Sequence, residues 1–388
     1  MKISLIVPSF YPAIIYGGPI FSTLNTSKEL ARLSDIEVYV STTNANMTSK
    51  LDVVTGKYIK LEKKLNVKYY DETVINKISL SFIFGIIKDI QSSDVVHIQS
   101  IFSISTPISL YFAKKYKKPI LLSPRGQFGE WCLDNGSSIK GKWLKYFIKP
   151  FNDIVIWHAT AQQEKDEILS IFSTAKVEII PNGIYVDEFK KYNIIDKKKY
   201  LKKYLRINIK NIDKIIVSMG RLQKKKGFDI LIDSFFELLK EYPNSYLLIA
   251  GPDEGEKVNL IKQIEKLGLN EKVYLIGNIK DQNKIDFLSN ADLFVLPSHN
   301  ENFGNVYLES LAAGTPIVAS TNTPWSEVEE FNCGKWVSNS VYETSRALID
   351  IIKRDRKEMR KNSIRLASKY DWSDIASQFK ILYERMYK

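Results

Sequence analysis

The most informative stretch of the chain reads Leu293-Phe294-Val295-Leu296-Pro297-Ser298 and, two residues later, Glu301-Asn302-Phe303-Gly304-Asn305-Val306-Tyr307-Leu308-Glu309. The first six residues predict a buried strand that ends at a proline, and the last nine predict a polar turn with a glycine, followed by a helix. A strand, a turn and a helix start in this order place unpaired backbone N–H groups and the positive end of a helix dipole at one point. The stretch therefore predicts a βα connection with an anion site at the carboxyl end of its strand.

Two glutamates flank this predicted anion site. Glu301 is expected in the turn, and Glu309, on the new helix, can point back over the same crevice. Carboxylates accept hydrogen bonds from hydroxyl groups, so this pair suggests a ligand that carries both hydroxyls and phosphate, such as a sugar nucleotide. The alternative is an ordinary βα connection with solvated glutamates, and the stretch by itself leaves both readings open.

Length and composition predict a globular chain with two domains. The 388 residues are 44% hydrophobic and 26% charged, which is enough for two cores of ordinary size. Cys132 and Cys333 are far apart in sequence and are expected to be cytosolic thiols rather than a disulfide. With only three histidines and no clustered cysteines, the composition argues against a zinc site.

The amino terminus predicts a first strand rather than a signal peptide. Its apolar run is short and is broken early by Pro8. No apolar stretch approaches the roughly 18 residues that a membrane-spanning helix needs. We therefore expect a cytoplasmic protein that is soluble or attached to the inner face of the cytoplasmic membrane.

Positive charge is concentrated in the first half of the chain. The net charge is +12, and residues 1–200 carry 27 Lys and Arg against 19 Asp and Glu, compared with 29 against 25 in the remainder. Lysines from Lys114 to Lys118 and from Lys140 to Lys149 contribute, the second group interleaved with aromatic residues. These are either solvated helix faces or a surface that attracts anionic lipid headgroups or a phosphorylated acceptor. No recognition motif accompanies the charge, which argues against nucleic acid.

Short apolar runs alternate with amphipathic segments along the first half. The runs that predict strands are Ile3–Pro8, Ile36–Ser41, Val95–Gln99, Ile120–Ser123, Ile154–Ala159 and Val177–Ile180. Helical periodicity occurs between them at Phe21–Leu33, Ile75–Ile90 and Gln162–Phe172. This alternation predicts a parallel, doubly wound sheet.

The alternation restarts after a turn at Pro181-Asn182-Gly183 and a polar stretch at 190–214, where we place the domain junction. Strands are predicted at Lys214–Met219, Tyr246–Ala250, Val273–Ile276, Leu293–Leu296 and Pro316–Ala319. Helices are predicted at Phe228–Glu241, Glu256–Leu267, Gln282–Asn290 and Val306–Ala313. We therefore expect two Rossmann-like domains, residues 1–195 and 196–371, and a deep cleft as the default ligand site.

Two glycine-containing loops follow predicted strands. Tyr16-Gly17-Gly18-Pro19 follows the first strand, but it is not a GxGxxG pattern and lacks the acidic residue that nicotinamide cofactors require. Gly220-Arg221-Leu222-Gln223-Lys224-Lys225-Lys226-Gly227 follows the first strand of the second half. Its arginine and lysines could stabilise a nucleoside diphosphate leaving group, which carries about two to three negative charges. The alternative is a basic surface loop.

Together these motifs resemble the GT-B glycosyltransferases of family 4, the retaining group 1 transferases, over nearly the whole chain. The matching segments are Glu301 to Glu309, Gly220 to Gly227, Pro181-Asn182-Gly183, Tyr16-Gly17-Gly18, Asp94-Val95-Val96-His97, Ala250-Gly251-Pro252-Asp253 and Gly314-Thr315-Pro316-Ile317-Val318-Ala319. The resemblance implies an α/β fold of two doubly wound, parallel-sheet domains that face each other across a cleft. It also implies that the last helix, residues 372–388, packs back on the first domain.

The resemblance further implies roles at the donor site. Glu301 would hydrogen-bond hydroxyls of the donor sugar, while Glu309 would hold the ribose hydroxyls. Arg221 and Lys226 would neutralise the diphosphate. Backbone amides would assist from Gly17, Gly18, Phe303, Gly304, Asn305 and Val306, and the base would lie near Gly277–Ile279, with Ile279 as the named contact.

Acceptor-side residues are expected in the first domain. His97 matches a position near the reaction centre, where a His-x-His pair is frequent, and is named as a catalytic candidate; here the second place is Gln99. The alternative for His97 is a buried structural histidine. Ser123-Pro124-Arg125-Gly126-Gln127 resembles a subgroup that acts on surface polysaccharides, so Arg125 is expected to contact acceptor or donor phosphate. Trp131 could stack on a sugar ring, or it could simply pack within its loop.

The sequence therefore predicts a retaining glycosyltransferase that moves a hexose from a UDP- or GDP-linked sugar to a saccharide or lipid-linked acceptor, in O-antigen or capsule synthesis. Retention is implied by the family and needs no enzyme nucleophile, because the departing diphosphate oxygen would take the acceptor's proton. No metal is expected, since the chain has no Asp-x-Asp pair. The alternatives are a nucleotide-sugar epimerase of the same fold and a basic, non-enzymatic membrane-surface binding protein.

Overall fold

A computed structural model describes residues 1–74, 78–129, 132–133, 139–191, 195–205 and 211–388. The chain divides into two units, one formed by Met1–Gly183 with Trp372–Lys388 and the other by Ile184–Asp371. This division comes earlier than the predicted one at residue 195, because the Ile184 N–H already donates to the carbonyl of Tyr370, 2.8 Å away, inside the second unit.

The first unit is built around an eight-stranded sheet with the order β10-β9-β8-β7-β1-β2-β6-β5. Its strands are β1 (Lys2–Ile6), β2 (Glu37–Thr43), β5 (Tyr58–Glu62), β6 (Leu65–Tyr70), β7 (Val95–Gln99), β8 (Ile120–Ser123), β9 (Val155–Ala159) and β10 (Lys176–Ile179). All neighbours pair in parallel except β5, which runs antiparallel at the edge. A separate short hairpin joins β3 (Ala45–Asn46) and β4 (Ser49–Lys50).

Buried strands follow the predicted apolar runs, whereas an edge pair does not. β7 and β8 have the predicted bounds and are buried along their whole length, as expected for parallel strands covered on both faces. β5 and β6 were not predicted, because their apolar residues alternate with lysine, asparagine and glutamate and form no continuous run. The doubly wound sheet is thus extended by an antiparallel edge strand.

The α-helices of the first unit alternate with its strands. They are α1 (Gly18–Arg32), α2 (Leu80–Gln91), α3 (Ser105–Lys115), α4 (Ile139–Trp143), α5 (Gln162–Ile171) and the C-terminal α15 (Trp372–Tyr387). Ser79 caps α2 by accepting a hydrogen bond from the Phe82 N–H, so this helix begins later than residue 75. Residues 75–77 of the predicted helix lie outside the described residues.

The second unit is built around a six-stranded parallel sheet with the order β13-β12-β11-β14-β15-β16. Its strands are β11 (Ile215–Met219), β12 (Tyr246–Ala250), β13 (Val273–Gly277), β14 (Leu293–Leu296), β15 (Ile317–Ser320) and β16 (Gly334–Val337). The order matches the common doubly wound arrangement of dinucleotide-binding sheets. The edge strand β16 was not predicted, because it is short and only partly buried.

Helices cover both faces of this sheet. They are α6 (Val186–Phe189), α7 (Lys197–Leu205), α8 (Phe228–Leu239), α9 (Lys257–Lys266), α10 (Asp281–Ser289), α11 (Asn305–Ala312), α12 (Glu327–Glu330), α13 (Val341–Lys353) and α14 (Arg356–Ala367). Helix α7 lies inside the stretch that was predicted as a polar junction. Tyr200 and Leu201 are fully buried on its inner face, so its lysines mark a solvated helix surface rather than a linker.

Helix α15 belongs to the first unit although it is the last element of the chain. It contacts α1, and Ile375, Phe379 and Tyr383 are buried on one face. At its start, Trp372 lies over Gly183, where an added Cβ would approach the indole ring to 2.5 Å. The C-terminal residues therefore close the core of the unit in which the chain begins.

Candidate functional site

The predicted donor loops lie at the point where the strand order of the second sheet reverses. The chain progresses from β11 towards β13 on one side and from β14 towards β16 on the other. Open α/β sheets bind ligands beside the carboxyl ends of the strands at such a point. Here those ends are followed by residues 220–227 after β11 and residues 297–304 after β14, the two loops that the sequence singled out.

Close backbone packing joins the two loops. Gly227 has φ +66, and an added Cβ would lie 2.2 Å from the carbonyl oxygen of Pro297. The His299 N–H donates to the Lys225 carbonyl at 2.8 Å. The short 3₁₀ turn Lys224–Lys226 is therefore held against the loop after β14, which brings its last lysine to Glu301.

Lys226 and Glu301 form a largely buried ion pair between these loops, with 14% and 11% of their side chains exposed. The Lys226 Nζ donates to Glu301 Oε1, and Ser298 Oγ donates to the same oxygen at 3.0 Å. Glu301 is only 9% exposed. Burial raises the pKa of Glu301, but the charge and hydrogen bond of Lys226, with smaller effects of Lys225 and Ser298, outweigh it and hold the pKa below its usual value. Glu301 is therefore an ionised hydrogen-bond acceptor, not a proton donor.

The turn after Glu301 is shaped by Tyr307. The Tyr307 hydroxyl donates to the Leu296 carbonyl at 2.6 Å, and an added Cβ on Gly304 would lie 2.6 Å from the tyrosine ring. Gly304, with φ +73, thus lets the chain turn tightly over this ring into α11, which begins at Asn305. Val306 is half-buried in the first turn of the helix.

Phe303 is a core residue whose backbone forms part of the turn. Its side chain is buried and packs edge-on against Trp325 and Tyr370. The Phe303 carbonyl accepts a hydrogen bond from the Trp325 indole N–H at 2.7 Å. The side chain therefore fixes the position of the backbone and does not itself face a ligand.

Arg221 is placed differently from Lys226. Its Nη1 lies 3.2 Å from both carboxylate oxygens of Glu254, which also accepts a hydrogen bond from Gln223. The Arg221 side chain is 48% exposed. Arg221 and Lys226 were expected to act together on a diphosphate, yet the structure pairs each of them with a different carboxylate.

Two further predicted donor contacts lie in the second unit. Glu309 is on α11, and Ile279 follows the carboxyl end of β13. Glu309, on α11, pairs with Lys284 of α10 at 2.7 Å, and both side chains are about one quarter exposed. Ile279 is half-buried against the core of the second unit. Its neighbour Gly277 has φ +75 and nothing within 4 Å of an added Cβ, so the backbone there faces open space.

In the first unit, Gly17 caps α1 and Gly18 is its first residue, so the helix begins three residues before the predicted start at Phe21. Gly17 has φ +76 and an open position around an added Cβ. Its N–H, however, donates to the Ile14 carbonyl at 3.0 Å, so this amide is already used within the loop. Gly18 opens the helix, with Pro19 following.

His97 lies in the core of the first unit, in a chain of hydrogen bonds. Its Nδ1 is 2.8 Å from the Tyr383 hydroxyl and its Nε2 is 2.8 Å from Ser123 Oγ, which is 2.7 Å from His158 Nδ1. His158 Nε2 is 2.8 Å from the Ile180 carbonyl. Because a carbonyl only accepts, His158 donates there, Ser123 donates to His158, His97 donates to Ser123 and Tyr383 donates to His97.

This environment favours the structural reading of His97 over the catalytic one. His97 is 1% exposed, and both ring nitrogens are already hydrogen-bonded. Burial, with the nearby His158 and Arg125, holds the pKa of His97 well below its usual value, and burial with Arg125 lowers the pKa of His158 to about 3. Both rings are therefore neutral at physiological pH and fix α15 to the sheet through Tyr383.

Arg125 lies just after β8, with its guanidinium directed into the unit. Its Nε donates to Gln99 Oε1 at 3.3 Å and its Nη1 to Asn182 Oδ1 at 3.2 Å. It thus contacts the residue that ends β7 and the turn that ends the first unit. Trp131 lies outside the described residues.

Several residues around the site were not predicted. Ser298, Tyr307, Glu254 and Lys284 support the glutamates and cations, and Thr23 and Asn182 contact the residues around Arg125. Ser298 and Tyr307 could have been suspected from their place in the strand–turn–helix stretch. Asn182 lies in the predicted turn at residues 181–183, whereas Thr23, Glu254 and Lys284 carry no local signal, because their partners are distant in sequence. In the described part of the chain, no group of three or more His, Cys, Asp or Glu residues could hold a metal ion.

Two family models match the chain. Residues 16–188 match the model described as Glycosyltransferase Family 4, and residues 203–369 match the model described as Glycosyl transferases group 1. The chain is 28% identical over 235 residues to the alpha-monoglucosyldiacylglycerol synthase of Streptococcus pneumoniae, covering 59% of this chain and 52% of that protein. An uncharacterized glycosyltransferase of Methanocaldococcus jannaschii is 32% identical over 242 residues, covering 57% of this chain and 59% of that protein.

Solved structures share the fold over almost the whole chain. The Anabaena HepE structure in complex with UDP and glucose has a TM-score of 0.75 at 16% identity, covering 99% of this chain and all of that one. Sucrose-phosphate synthase from Thermosynechococcus elongatus has a TM-score of 0.72 at 17% identity, covering 100% of this chain and 98% of that one. The chain spans about half the length of the curated relatives it matches. Between them, the two family models account for both units, and the chain belongs to the family 4, group 1 glycosyltransferases with the GT-B fold.

Proposed function

We propose that this protein is a retaining glycosyltransferase that transfers a hexose from a UDP- or GDP-linked sugar to a hydroxyl of a saccharide or lipid-linked acceptor. The observation that carries the proposal is the buried Lys226–Glu301 pair at the strand-order reversal of the second sheet. A cation beside an ionised carboxylate offers one group to phosphate and the other to sugar hydroxyls. An ordinary βα turn would not need to bury such a pair, because burial costs both charges their hydration.

In the proposed reaction, the bond from the anomeric carbon to the diphosphate oxygen breaks while a bond to the acceptor oxygen forms on the same face of the sugar. The acceptor hydroxyl proton passes to the departing phosphate oxygen, so no enzyme nucleophile or separate base is needed. Lys226 stabilises the charge that develops on the diphosphate. Arg221 does the same after exchanging Glu254 for a phosphate oxygen, which its exposure permits.

Glu301 and Glu309 divide the recognition of the donor. Glu301, held ionised by Lys226, accepts hydrogen bonds from the sugar hydroxyls and orients the anomeric carbon. Glu309 is more exposed than Glu301 and lies on α11, where it holds the ribose after releasing Lys284. Backbone amides of residues 303–306 complete the phosphate and sugar contacts.

UDP is the first nucleotide to test. The Anabaena relative of similar fold is described in complexes with UDP, UDP-glucose and glucose, while the Streptococcus relative is named as a glucosyldiacylglycerol synthase. A lipid-linked acceptor, a role in surface polysaccharide assembly and a place on the inner membrane face follow as parts of the same proposal. Within the described residues, no helix combines the length and apolar character needed to cross a bilayer.

The proposal is tested by thermal shift and calorimetry with UDP, GDP, UDP-glucose and GDP-mannose, followed by product analysis. We expect one nucleotide class to stabilise the protein and its sugar to be consumed only when an acceptor is added. Conversion of the donor to an isomer without acceptor would indicate the epimerase instead. Absence of stabilisation by every nucleotide, together with salt-sensitive vesicle binding, would indicate the non-enzymatic membrane protein.

A further inference from the structure

Gln99, at the carboxyl end of β7, presents a buried amide nitrogen for which the described residues provide no hydrogen-bond acceptor. The residue is 4% exposed. Its Oε1 accepts from Thr23 Oγ1 at 2.8 Å and from Arg125 Nε at 3.3 Å, which fixes the orientation of the amide. Its Nε2 has no partner among the described residues. Two N–H bonds therefore point into the interior unused, which is costly unless a ligand or water accepts them.

Arg125, just after the adjacent strand β8, also has a buried nitrogen donor, and its guanidinium carries a positive charge. Its Nη2 is buried and has no hydrogen-bond partner among the described residues, and no ion pair between them includes Arg125. The Glu164 carboxylate, whose charge also acts on Arg125, accepts hydrogen bonds from the N–H groups of Gly126 and Thr160, each at 2.7 Å. A buried guanidinium without a contacting carboxylate is expected to have an anion as its missing partner.

The loops after β7 and β8 are held in uncommon backbone conformations. Ser100 has φ +80 and Arg125 has φ +59, although neither is a glycine. Gln127 Oε1 fixes the first loop by accepting from Ser100 Oγ at 3.1 Å and from the N–H groups of Ile101 and Phe102 at 2.5 and 3.2 Å. Such conformations cost energy and persist at sites where a side chain must be aimed. Here the side chain that is aimed is Arg125.

We propose that Arg125 and Gln99 form an anion site in the first unit that binds a phosphate ester of the acceptor. Arg125 Nη2 and Gln99 Nε2 carry two N–H groups each, and together they suit the several oxygens of a phosphate. A neutral sugar hydroxyl would accept one hydrogen bond but would leave the guanidinium charge without compensation. The inference rests on the proposed function, because only a transferase has an acceptor distinct from the nucleotide sugar.

The test uses phenyl phosphate as the probe, titrated into the full chain and followed by calorimetry and phosphorus NMR. In Gln99→Glu, the new carboxylate still accepts from Thr23 and Arg125, and its second oxygen can pair with Arg125 Nη2. We expect this variant to be as heat-stable as the wild type or more so, yet to bind phenyl phosphate at least tenfold more weakly. Arg125→Lys should also weaken binding, while Arg32→Gln, which changes an exposed arginine, should not.

The same samples are titrated with UDP or GDP to identify the source of the phosphate. An acceptor site predicts that saturating nucleotide leaves phenyl phosphate binding intact and that Gln99→Glu retains wild-type nucleotide affinity. The inference is overturned if the wild type does not bind phenyl phosphate, if Gln99→Glu binds it equally well, or if nucleotide displaces it. A protein that binds no nucleotide would contradict the proposed function, while the phenyl phosphate titration would still decide whether Arg125 and Gln99 bind a phosphate ester.

Discussion

In the proposed donor site, Lys226 and Glu301 hold each other in position. Each side chain compensates the other's charge, since Glu301 accepts from both Lys226 and Ser298. The lysine retains further N–H bonds for a phosphate, and the carboxylate retains a second oxygen for a hydroxyl. Under the proposed function, the pair is positioned before a donor binds, which would lower the cost of ordering the site during the reaction.

Removal of one charge from this pair should damage both activity and stability. We expect Lys226→Met to lower kcat/KM by about 10²–10³-fold, as for loss of one preorganised charge-stabilising group. It should also destabilise the second unit by about 3 kcal/mol, because Glu301 is left buried without its cation.

The double variant Lys226→Met/Glu301→Gln separates these effects. It should regain most of the unfolding free energy in urea titrations but none of the activity. Lys240→Met is the control, since Lys240 is exposed and its ion pair is with Glu237, three residues away on the surface. Near-normal turnover in Lys226→Met would refute its role, and equal instability in the double variant would refute the mutual compensation.

At the scale of elements, the basic turn after β11 depends on the absence of a side chain at Gly227. Gly227→Ala should disturb the turn for two reasons. An alanine is strained at a positive φ, and its Cβ would lie only 2.2 Å from the Pro297 carbonyl oxygen. We expect it to weaken nucleotide binding at least tenfold by displacing Lys226. Gly268→Ala is the matched control, because Gly268 has φ +68 but nothing within 4 Å of its added Cβ.

The two glycine variants are compared by thermal unfolding and nucleotide titration. Both should lose about 1 kcal/mol of stability from the positive φ, and Gly227→Ala should lose more. Equal losses of stability with unchanged nucleotide affinity would show that the Gly227–Pro297 approach does not position the cationic turn.

The elements β7, β8, β9 and α15 are linked by neutral buried histidines, so stability should depend on pH. The pKa of His158 is about 3 in the folded state against an ordinary value of 6.5. The unfolded chain therefore protonates His158 more readily than the folded protein does. The stability that depends on a neutral His158 is fully present above pH 6.5 and is lost as pH falls towards 3. For His158, linkage gives a loss of about 2 kcal/mol between pH 7 and pH 5.

Urea unfolding of the wild type and of His158→Asn at pH 7 and pH 5 measures this effect. The wild type should lose more stability on acidification than the variant, which lacks the titrating ring. The same slope in both proteins would show that another group governs acid stability in this range.

At the scale of the whole molecule, the net charge of +12 is combined with an exposed aromatic segment in the first unit. Ile139, Tyr146 and Phe147 are exposed, and Lys142, Lys145 and Lys149 lie among them. Trp143 anchors the segment by donating to the Ile101 carbonyl at 2.9 Å. Basic and aromatic side chains on one exposed segment are suited to an anionic membrane surface.

Vesicle sedimentation tests this surface. We expect binding to vesicles that contain phosphatidylglycerol, little binding to pure phosphatidylcholine, and a decrease with added salt. Tyr146→Ser/Phe147→Ser should weaken binding several-fold, whereas Tyr342→Ser, at an exposed tyrosine of the second unit, should not. Equal binding to both kinds of vesicle would argue against an electrostatic membrane site.

The sequence by itself determined the features that depend on neighbouring residues. Continuous apolar runs located Val95–Gln99, Ile120–Ser123, Tyr246–Ala250 and Leu293–Leu296 with the bounds found in the structure. The order of strand, glycine turn and helix located the loops after β11 and β14, because backbone geometry at these turns is set locally.

Tertiary structure alone decided which side chains contact one another across the chain. Lys226 and Glu301 are 75 positions apart, and Tyr383 reaches His97 across 286 positions. Such contacts depend on how sheets and helices pack, which no local pattern encodes. The packing buried His97, a catalytic candidate of the sequence, and joined it to α15 through Tyr383, and it paired Arg221 with Glu254. It also buried nitrogen donors of Arg125 and Gln99 that find no acceptor in the described part of the chain.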